Sequence, residues 1–500
     1  MSAAQAWENL VRAAMLGTER QPPEHAATGD PALDGTLAAL VDRPAEARVL
    51  GTAALLDAWR RAGQRPTRIA APLPPPAPDQ AERMAPPVAA RVLRQILADG
   101  SAPLLVEWLA LAGARGLALP HELLPAVLDL GARQAAAREA IAGALGARGR
   151  WLAARNPAWG YAGGVADDLS AGWETGTAEE RLRILRHQRA TDPAGGLALL
   201  RTTWATEAPR DRAAFVEALA AGLSMDDEPF LESLLDDKRK EVRTTAARLL
   251  ATLPQSRLVA RMVERLAPLL HVAKPEGVIA RLRGGPVRIA IDLPAACDKG
   301  MQRDGIEAKP PAGTGERTWW LRQMVTSIPP SVWTARWEMD AAALLAAARA
   351  AGDEGAVLVR GWRDATVATH DAQWAEALLS VRGDEGAGAV STLAAAVPGD
   401  RLEPIILSHL RKRLDAPGIV LGLLHGATWV WNPALTHAVV SAVPNPMPPF
   451  EYTLREQLRG FALYMHPATA ISILHAQGDP HEGKWVELLH LRATLHHAFE

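Results

Sequence analysis

Between residues 178 and 270, helix-length apolar stripes alternate with turn signals over about 30 to 45 residues. This period constrains the fold more than any other feature of the chain. The stripes place helices at 178–189, 193–205, 208–222, 226–235, 238–253 and 256–270, three antiparallel pairs. Breakers stand between them at Asp192-Pro193, Ala208-Pro209, Asp226-Asp227 and Leu253-Pro254. A helix pair buries its apolar face against the next pair, so the pattern predicts a stacked all-α array. In the clearest unit, Phe230 to Leu250, one face carries Val242, Ala246, Leu249 and Leu250 and continues to Leu253. The small Ala246 lets a neighbouring helix approach.

The acidic turn at Asp237, followed by Val242-Arg243 and then Ala246, resembles a HEAT repeat unit. The resemblance implies that Asp237 and Arg243 stack as ladders between successive repeats, a structural role that competes with any contact role for Arg243. A shift of 144 residues lays Phe230, Leu234, Leu249, Pro254, Arg257 and Leu258 on Trp374, Leu378, Leu393, Pro398, Arg401 and Leu402 without a gap. Val242 and Arg243 fall on Gly386 and Ala387, so residues 339–500 read as degenerate helical repeats.

Upstream, apolar spacing predicts helices over Ala3–Leu16 and Pro44–Ala62 in an N-terminal segment, 1–64. Residues 65–87 carry eight prolines, a density that favours extended polyproline geometry and reads as a linker. Helices near 88–98, 102–112 and 121–146 belong to a segment 88–160, followed by HEAT-like repeats over 161–272. Over 273–338 the helical pattern disappears. Val278–Arg283 and Val287–Leu293 around Gly284-Gly285-Pro286 predict a short hairpin, followed by a Gly/Pro-rich loop and the aromatic segment Trp319 to Trp333. The expected fold class is therefore an all-α, HEAT-like α-solenoid with a short β-containing insertion.

Composition narrows the function classes. Hydrophobic residues are 48%, charged residues 22% and net charge −2, which fits a globular chain with no global pull toward nucleic acid or anionic lipid. Seven lysines stand against 47 arginines, a bias that reads as the coding of a GC-rich bacterial genome. The single cysteine, Cys297, excludes an internal disulfide and fits a reducing cytoplasm. Residues 1–21 contain Glu8, Arg12, Glu19 and Arg20 and show no signal-peptide pattern. Residues 416–450 hold no Asp, Glu, Lys or Arg, but Pro417, Gly418, Gly422, Gly426, Asn432 and Pro433 break the run into buried helices rather than a membrane span.

Nucleophile elbows, Walker loops and paired metal-binding histidines each impose a spacing, and the sequence contains none of them. Gly313-Thr-Gly315 lacks the lysine of a phosphate cradle, and neither His121-Glu122 nor His481-Glu482 has a second His one turn on. Six histidines crowd the last 35 residues, where packing or solvation accounts for them better than a metal. No cofactor or metal is expected, and Cys297 reads as an inert thiol. Two constellations remain. Trp numbers 16 against 3 Tyr and 5 Phe, and residues 131–155 hold five arginines and one glutamate. A second basic stretch, 236–265, has eight Lys or Arg against four acids. The contact residues singled out are Arg150, Trp151, Asn156, Trp159, Arg239, Arg243, Trp319 and Trp320.

Glu107-Trp-Leu, Leu119-Pro-His-Glu-Leu-Leu-Pro125, Arg148-Gly-Arg-Trp-Leu-Ala with Asn156-Pro-Ala-Trp159, Glu228-Pro-Phe-Leu and Trp319-Trp-Leu-Arg-Gln-Met together resemble one uncharacterised bacterial family, a domain of unknown function with HEAT-like helices over nearly the whole chain. The resemblance implies a gene context similar to that of genes found beside a SWIM-type zinc-finger protein, an AAA+ ATPase and a von Willebrand factor A-type protein, hence an assembly component, and it carries no catalytic residue. The expected function is a non-catalytic, cytoplasmic scaffold or adaptor for such protein partners, without a membrane. The alternative is a nucleic-acid binder, similar to the HEAT-like DNA glycosylases, using an Arg/Trp surface.

Overall fold

In the computed structural model, the breakers of the central array act as helix boundaries. Asp192 ends the helix Ala178–Thr191 and caps Pro193–Thr203, its carboxylate accepting from Gly195 N at 3.0 Å. Arg212–Ala218, Glu228–Ser233, Lys240–Leu250 and Arg257–Leu266 follow. Ser256 caps the last of these and donates back to Leu250 O, so its buried hydroxyl is satisfied on both sides. The structure describes residues 3–23, 27–62, 74–77, 82–162, 169–273, 287–380, 387–411, 417–443, 452–476 and 483–500.

The chain divides into two compact units, Met1–Pro76 and Ala77–Glu500. The first holds the helices Ala3–Leu16, Pro31–Ala38 and Ala45–Ala62 around Leu10, Leu33, Leu37 and Leu56. Its middle helix lies outside the sequence expectation, because eight residues carry too little periodicity. Its signal is instead Asp30 ahead of Pro31, and Asp30 caps Ala32 N and Leu33 N while accepting from Trp59 Nε1 at 3.1 Å. Val11, Met15, Leu16, Val41 and Leu50 remain exposed on this unit.

The second unit is an all-α array of antiparallel helix pairs with one two-stranded sheet among the described residues. Its long core runs from Trp173 to Leu489. The 144-residue echo is structural: Phe230, Leu234, Leu249 and Leu258 are buried, and so are Trp374, Leu378, Leu393 and Leu402. At the ladder position, Asp237 accepts from Arg243 through its carbonyl at 2.7 Å and faces Arg212 of the preceding pair at 3.5 Å.

Three expectations need correction. The predicted helix 256–270 ends at Leu266, since Leu270–Ala273 (β1) pairs antiparallel with Arg288–Ile291 (β2), Leu270 opposite Ile291. Leu270 and Ile289 turn into the core, which is what draws this segment out of the helix. The predicted second strand is therefore present with a different partner, and Val278–Arg283 lies outside the described residues. Secondly, the aromatic segment is helical, over Glu316–Thr326 and Pro330–Trp337. Trp320, Leu321, Met324 and Val325 form its buried stripe against Gly352–Thr369, where a Cβ on Gly361 would stand 2.8 Å from Val325 Cγ1. The array thus resumes before residue 338. Thirdly, the helix expected over 121–146 breaks into Leu124–Arg133 and Arg138–Ala144, because the Arg138 guanidinium takes the carbonyls of Gly131 and Ala132.

The described part of the uncharged stretch forms two ten-residue helices, Pro417–Gly426 and Pro433–Ala442. No helix among the described residues is long and apolar enough to cross a membrane. Glycine sets the approach of Pro417–Gly426 to Ala387–Ala394: a Cβ on Gly422 would meet Ala387 O at 2.6 Å and Val390 Cβ at 2.8 Å. Gly422→Ala is expected to cost about 1–3 kcal/mol by overpacking. The urea midpoint reads it, and an unchanged midpoint would mean that the two helices part without cost.

The second unit also closes on itself. Lys484–His497 packs against Pro87–Asp99 and Ala102–Ala114, with Leu495, Ala498 and Phe499 entering the core of residues 85–162. Phe499 stands edge-on to Trp108, centroids 5.3 Å apart. Arg492, fully buried, donates to both Glu107 oxygens at 2.8 and 2.7 Å and to the carbonyls of Ala462 and Met465, while His496 Nε2 lies 2.8 Å from Glu107.

Candidate partner-binding site

Most of the polar chemistry on the repeats is spent internally. In the basic stretch 236–265, Arg248 pairs with Glu217, Arg257 with Glu228 at 2.9 Å, Arg261 with Glu232 and Asp304, and Arg265 with Asp304 at 2.6 Å. Lys240 reaches Glu307 at 2.8 Å. Burial pushes Asp304 up, but the hydrogen bonds and charges of Arg261 and Arg265 outweigh it and hold the carboxyl below its ordinary range. The net +4 read from sequence is thus neutralised by acids that lie mostly outside the stretch.

The sequence-selected residues fall into two groups. Segment 304–308 links Arg239 and Arg243 to Trp319 and Trp320: Lys240 binds Glu307, Gln323 accepts from Glu307 N, and Trp320 Nε1 donates to Ala308 O at 2.9 Å. Trp320 is buried, which removes it from any contact surface, and Trp319 packs against the same core. Arg243 serves the Asp237 ladder. Arg239 alone of this group extends an exposed side chain. Elsewhere tryptophan is chiefly core: Trp333, Trp337, Trp362 and Trp374 form one run with centroid spacings of 4.8 to 6.4 Å.

The other group sits on the helix Gly146–Ala153 and the turn Pro157–Ala162. Asn156 shapes that turn, accepting from Ala158 N at 3.1 Å. Trp159 is anchored by Nε1 to Asp129 at 2.8 Å, and Arg155 lies over the Trp151 ring at 3.8 Å. Arg150 is exposed. Gly146 opens the helix at φ +61, and a Cβ there would overlap the Glu82 carboxylate. That close approach seats Glu82 beside the Leu119–Pro125 block. Arg148 Nη1 lies 2.6 Å from His121 Nδ1, and His121 Nε2 lies 3.4 Å from Glu82. A guanidinium only donates, so Nδ1 accepts and Nε2 carries the proton that faces the carboxylate.

Beside this relay lies a cleft of about 490 Å³. Its floor is Ala85, Pro87, Ala90 and Pro120, and its rim is Met84, Arg91, Arg94, His121 and Glu122. Arg94 meets Glu122 at 3.1 Å, both more than half exposed, whereas Arg91 has no ion pair among the described residues. Sequence reasoning weighed His121-Glu122 only as a metal pair and passed over Met84 and Arg91, whose signal is tertiary. A second cavity of about 530 Å³ is lined by Leu424, His425, Phe461 and Tyr464, with the His425 ring edge-on to Phe461 and its Nδ1 2.7 Å from Leu421 O.

The first cleft is lined by two arginines, His121 and Glu122 over an apolar floor, and no Ser, Thr or Cys is among its lining residues. Burial and the neighbouring Asp298 charge raise the Cys297 thiol above its ordinary range, the direction of an unreactive thiol. Among the described residues no three His, Cys, Asp or Glu side chains gather as metal ligands. Neither a curated protein nor a solved structure matches the chain. A family model does match, over residues 9–499, and the chain therefore belongs to that family, described as a family of unknown function (DUF5691).

Proposed function

We propose that this chain is a non-catalytic α-solenoid adaptor of a bacterial cytoplasmic assembly, holding partner proteins on the surface of residues 82–162. One observation supports this reading above the rest: residues 82–162 form a cleft of about 490 Å³ whose rim carries the exposed Arg91, which makes no ion pair among the described residues. Met84 and Val88, 36% and 41% exposed, add apolar surface beside Arg91, the combination that protein interfaces use. The partners expected from the family resemblance are an AAA+ ATPase, a von Willebrand factor A-type protein and a SWIM-type zinc-finger protein. Nucleic acid is the less favoured partner, because five of the eight cations in the stretch 236–265, Lys240, Arg248, Arg257, Arg261 and Arg265, already stand in ion pairs.

A tagged pull-down from the native host, run with and without nuclease and read by mass spectrometry, tests the proposal. Nuclease-resistant enrichment of one of those proteins is the expected result. Loss of every partner on nuclease treatment would transfer Arg150 and Trp151 to a nucleic-acid surface.

A further inference from the structure

We propose that the cleft between Met84 and Glu122 takes an extended peptide segment of the partner protein, one that carries an apolar side chain next to a carboxylate. This rests on the adaptor reading above and gives it a chemistry. The first argument is main-chain. Ala118 N donates to Arg83 O at 2.8 Å and Ala85 N donates to Ala118 O at 3.1 Å, so residues 83–85 run as an extended strand beside Ala118. Successive residues of a strand send their N–H and C=O to opposite sides. The Met84 N–H and C=O therefore point away from Ala118, and neither makes a backbone hydrogen bond among the described residues. They offer a donor and an acceptor to an incoming main chain, the mode by which extended peptides add to a sheet edge.

The second argument is the wall chemistry. Pro87, Ala90 and Pro120 make an apolar floor, and Met84 is a large exposed apolar side chain at its rim. Such a surface takes an apolar side chain and recovers the cost of its own exposure. Arg91 then supplies an exposed cation with no ion pair among the described residues. Arg94 can exchange Glu122 for a ligand carboxylate at little cost, since a pair this exposed contributes about 0–1 kcal/mol. Charge complementarity thus selects an acidic ligand, and the floor requires it to be amphipathic. A nucleic acid fits less well, because the lining holds no Trp, Tyr or Phe on which a base could stack.

The test uses the full chain and a pool of fluorescein-labelled seven-residue peptides in which leucine or valine alternates with aspartate or glutamate, read by fluorescence anisotropy. A matched pool with asparagine and glutamine in place of the acids is the control. Saturable binding is expected, weakened roughly tenfold by Arg91→Glu and by the amide pool, and unaffected by Arg349→Glu on the exposed surface of the long array. Absence of saturation, or equal binding by Arg91→Glu, would overturn the proposal. Displacement of the bound peptide by a labelled oligo-thymidylate that itself depends on Arg91 would overturn it in favour of nucleic acid. The native pull-down separates the two levels: Arg91→Glu retaining the full partner set overturns the cleft and leaves the adaptor standing, whereas no partner for the wild-type chain overturns the adaptor.

Discussion

Arg492→Ala is expected to open the second unit between residues 107 and 492 and to destabilise it by about 3–5 kcal/mol, the usual cost of stranding one member of a buried pair. The guanidinium is fully buried and holds the Glu107 carboxylate and two backbone carbonyls together. Alanine leaves Ala462 O and Met465 O without this donor and Glu107 with His496 alone. Arg492→Lys keeps the charge and loses the planar fork, so it should fall between alanine and wild type. Hydrogen–deuterium exchange localises the effect: protection should drop over 484–497 and over 87–114, while 240–266 keeps its wild-type rate. Wild-type protection at 484–497 in the alanine variant would show that apolar packing of Leu495 and Phe499 suffices for closure.

The same site sets a pH dependence. Burial pushes Glu107 up, yet hydrogen bonds from His496 and Arg492, with their charges, carry it below the ordinary carboxyl value of 4.5. A carboxyl depressed by folding contributes stability that is present above its unfolded value and lost as pH falls through its folded one. Acidification below about 4.5 should therefore loosen residues 484–497, and Glu107→Gln should remove that part of the acid sensitivity.

Asp227→Ala is the second large effect, again about 3–5 kcal/mol for an uncompensated buried charge. Arg189 is 1% exposed, and every donor it has is used: Nε to Ala221 O, Nη1 to Pro193 O and Asp227 Oδ1, Nη2 to Leu219 O and Asp227 Oδ2, all between 2.6 and 2.9 Å. Asp227 also accepts from Ser224 N at 3.0 Å, so a single pair ties the turn at Pro193 to the connection 219–227. The double variant Arg189→Met with Asp227→Leu removes both charges and should lose less than Asp227→Ala alone. Urea unfolding monitored by circular dichroism measures both, and a double variant worse than the single one would show that the carbonyl contacts of Arg189 outweigh its charge.

The repeats were legible because each of their helices announces itself locally, with an apolar stripe, a proline or a capping Asp or Ser within one turn. Asp192-Pro193 and Ser256 are both visible in sequence and both act at a helix boundary in the structure. Pro31–Ala38 and Glu316–Thr326 were not, the first too short for periodicity and the second masked by adjacent tryptophans that look like surface chemistry. The site was half legible. Arg150, Trp151, Asn156 and Trp159 lie together because they are adjacent in sequence, whereas Glu82, His121 and Arg148 meet across three separate segments, and no spacing rule encodes that. Charge reading failed at 236–265 for the same reason: Glu217, Glu228, Glu232, Asp304 and Glu307 neutralise the stretch from outside it.

The bond that closes the second unit joins residues 385 positions apart. At a synthesis rate of about 5–20 residues per second, Arg492 leaves the ribosome roughly 20–80 s after Glu107. Throughout that interval the helices 87–114 are already made, and the place that Leu495, Ala498 and Phe499 will occupy beside Trp108 is bare. Synthesis therefore passes through a long-lived open form, in which an apolar seat and an unpartnered carboxylate await a helix not yet translated.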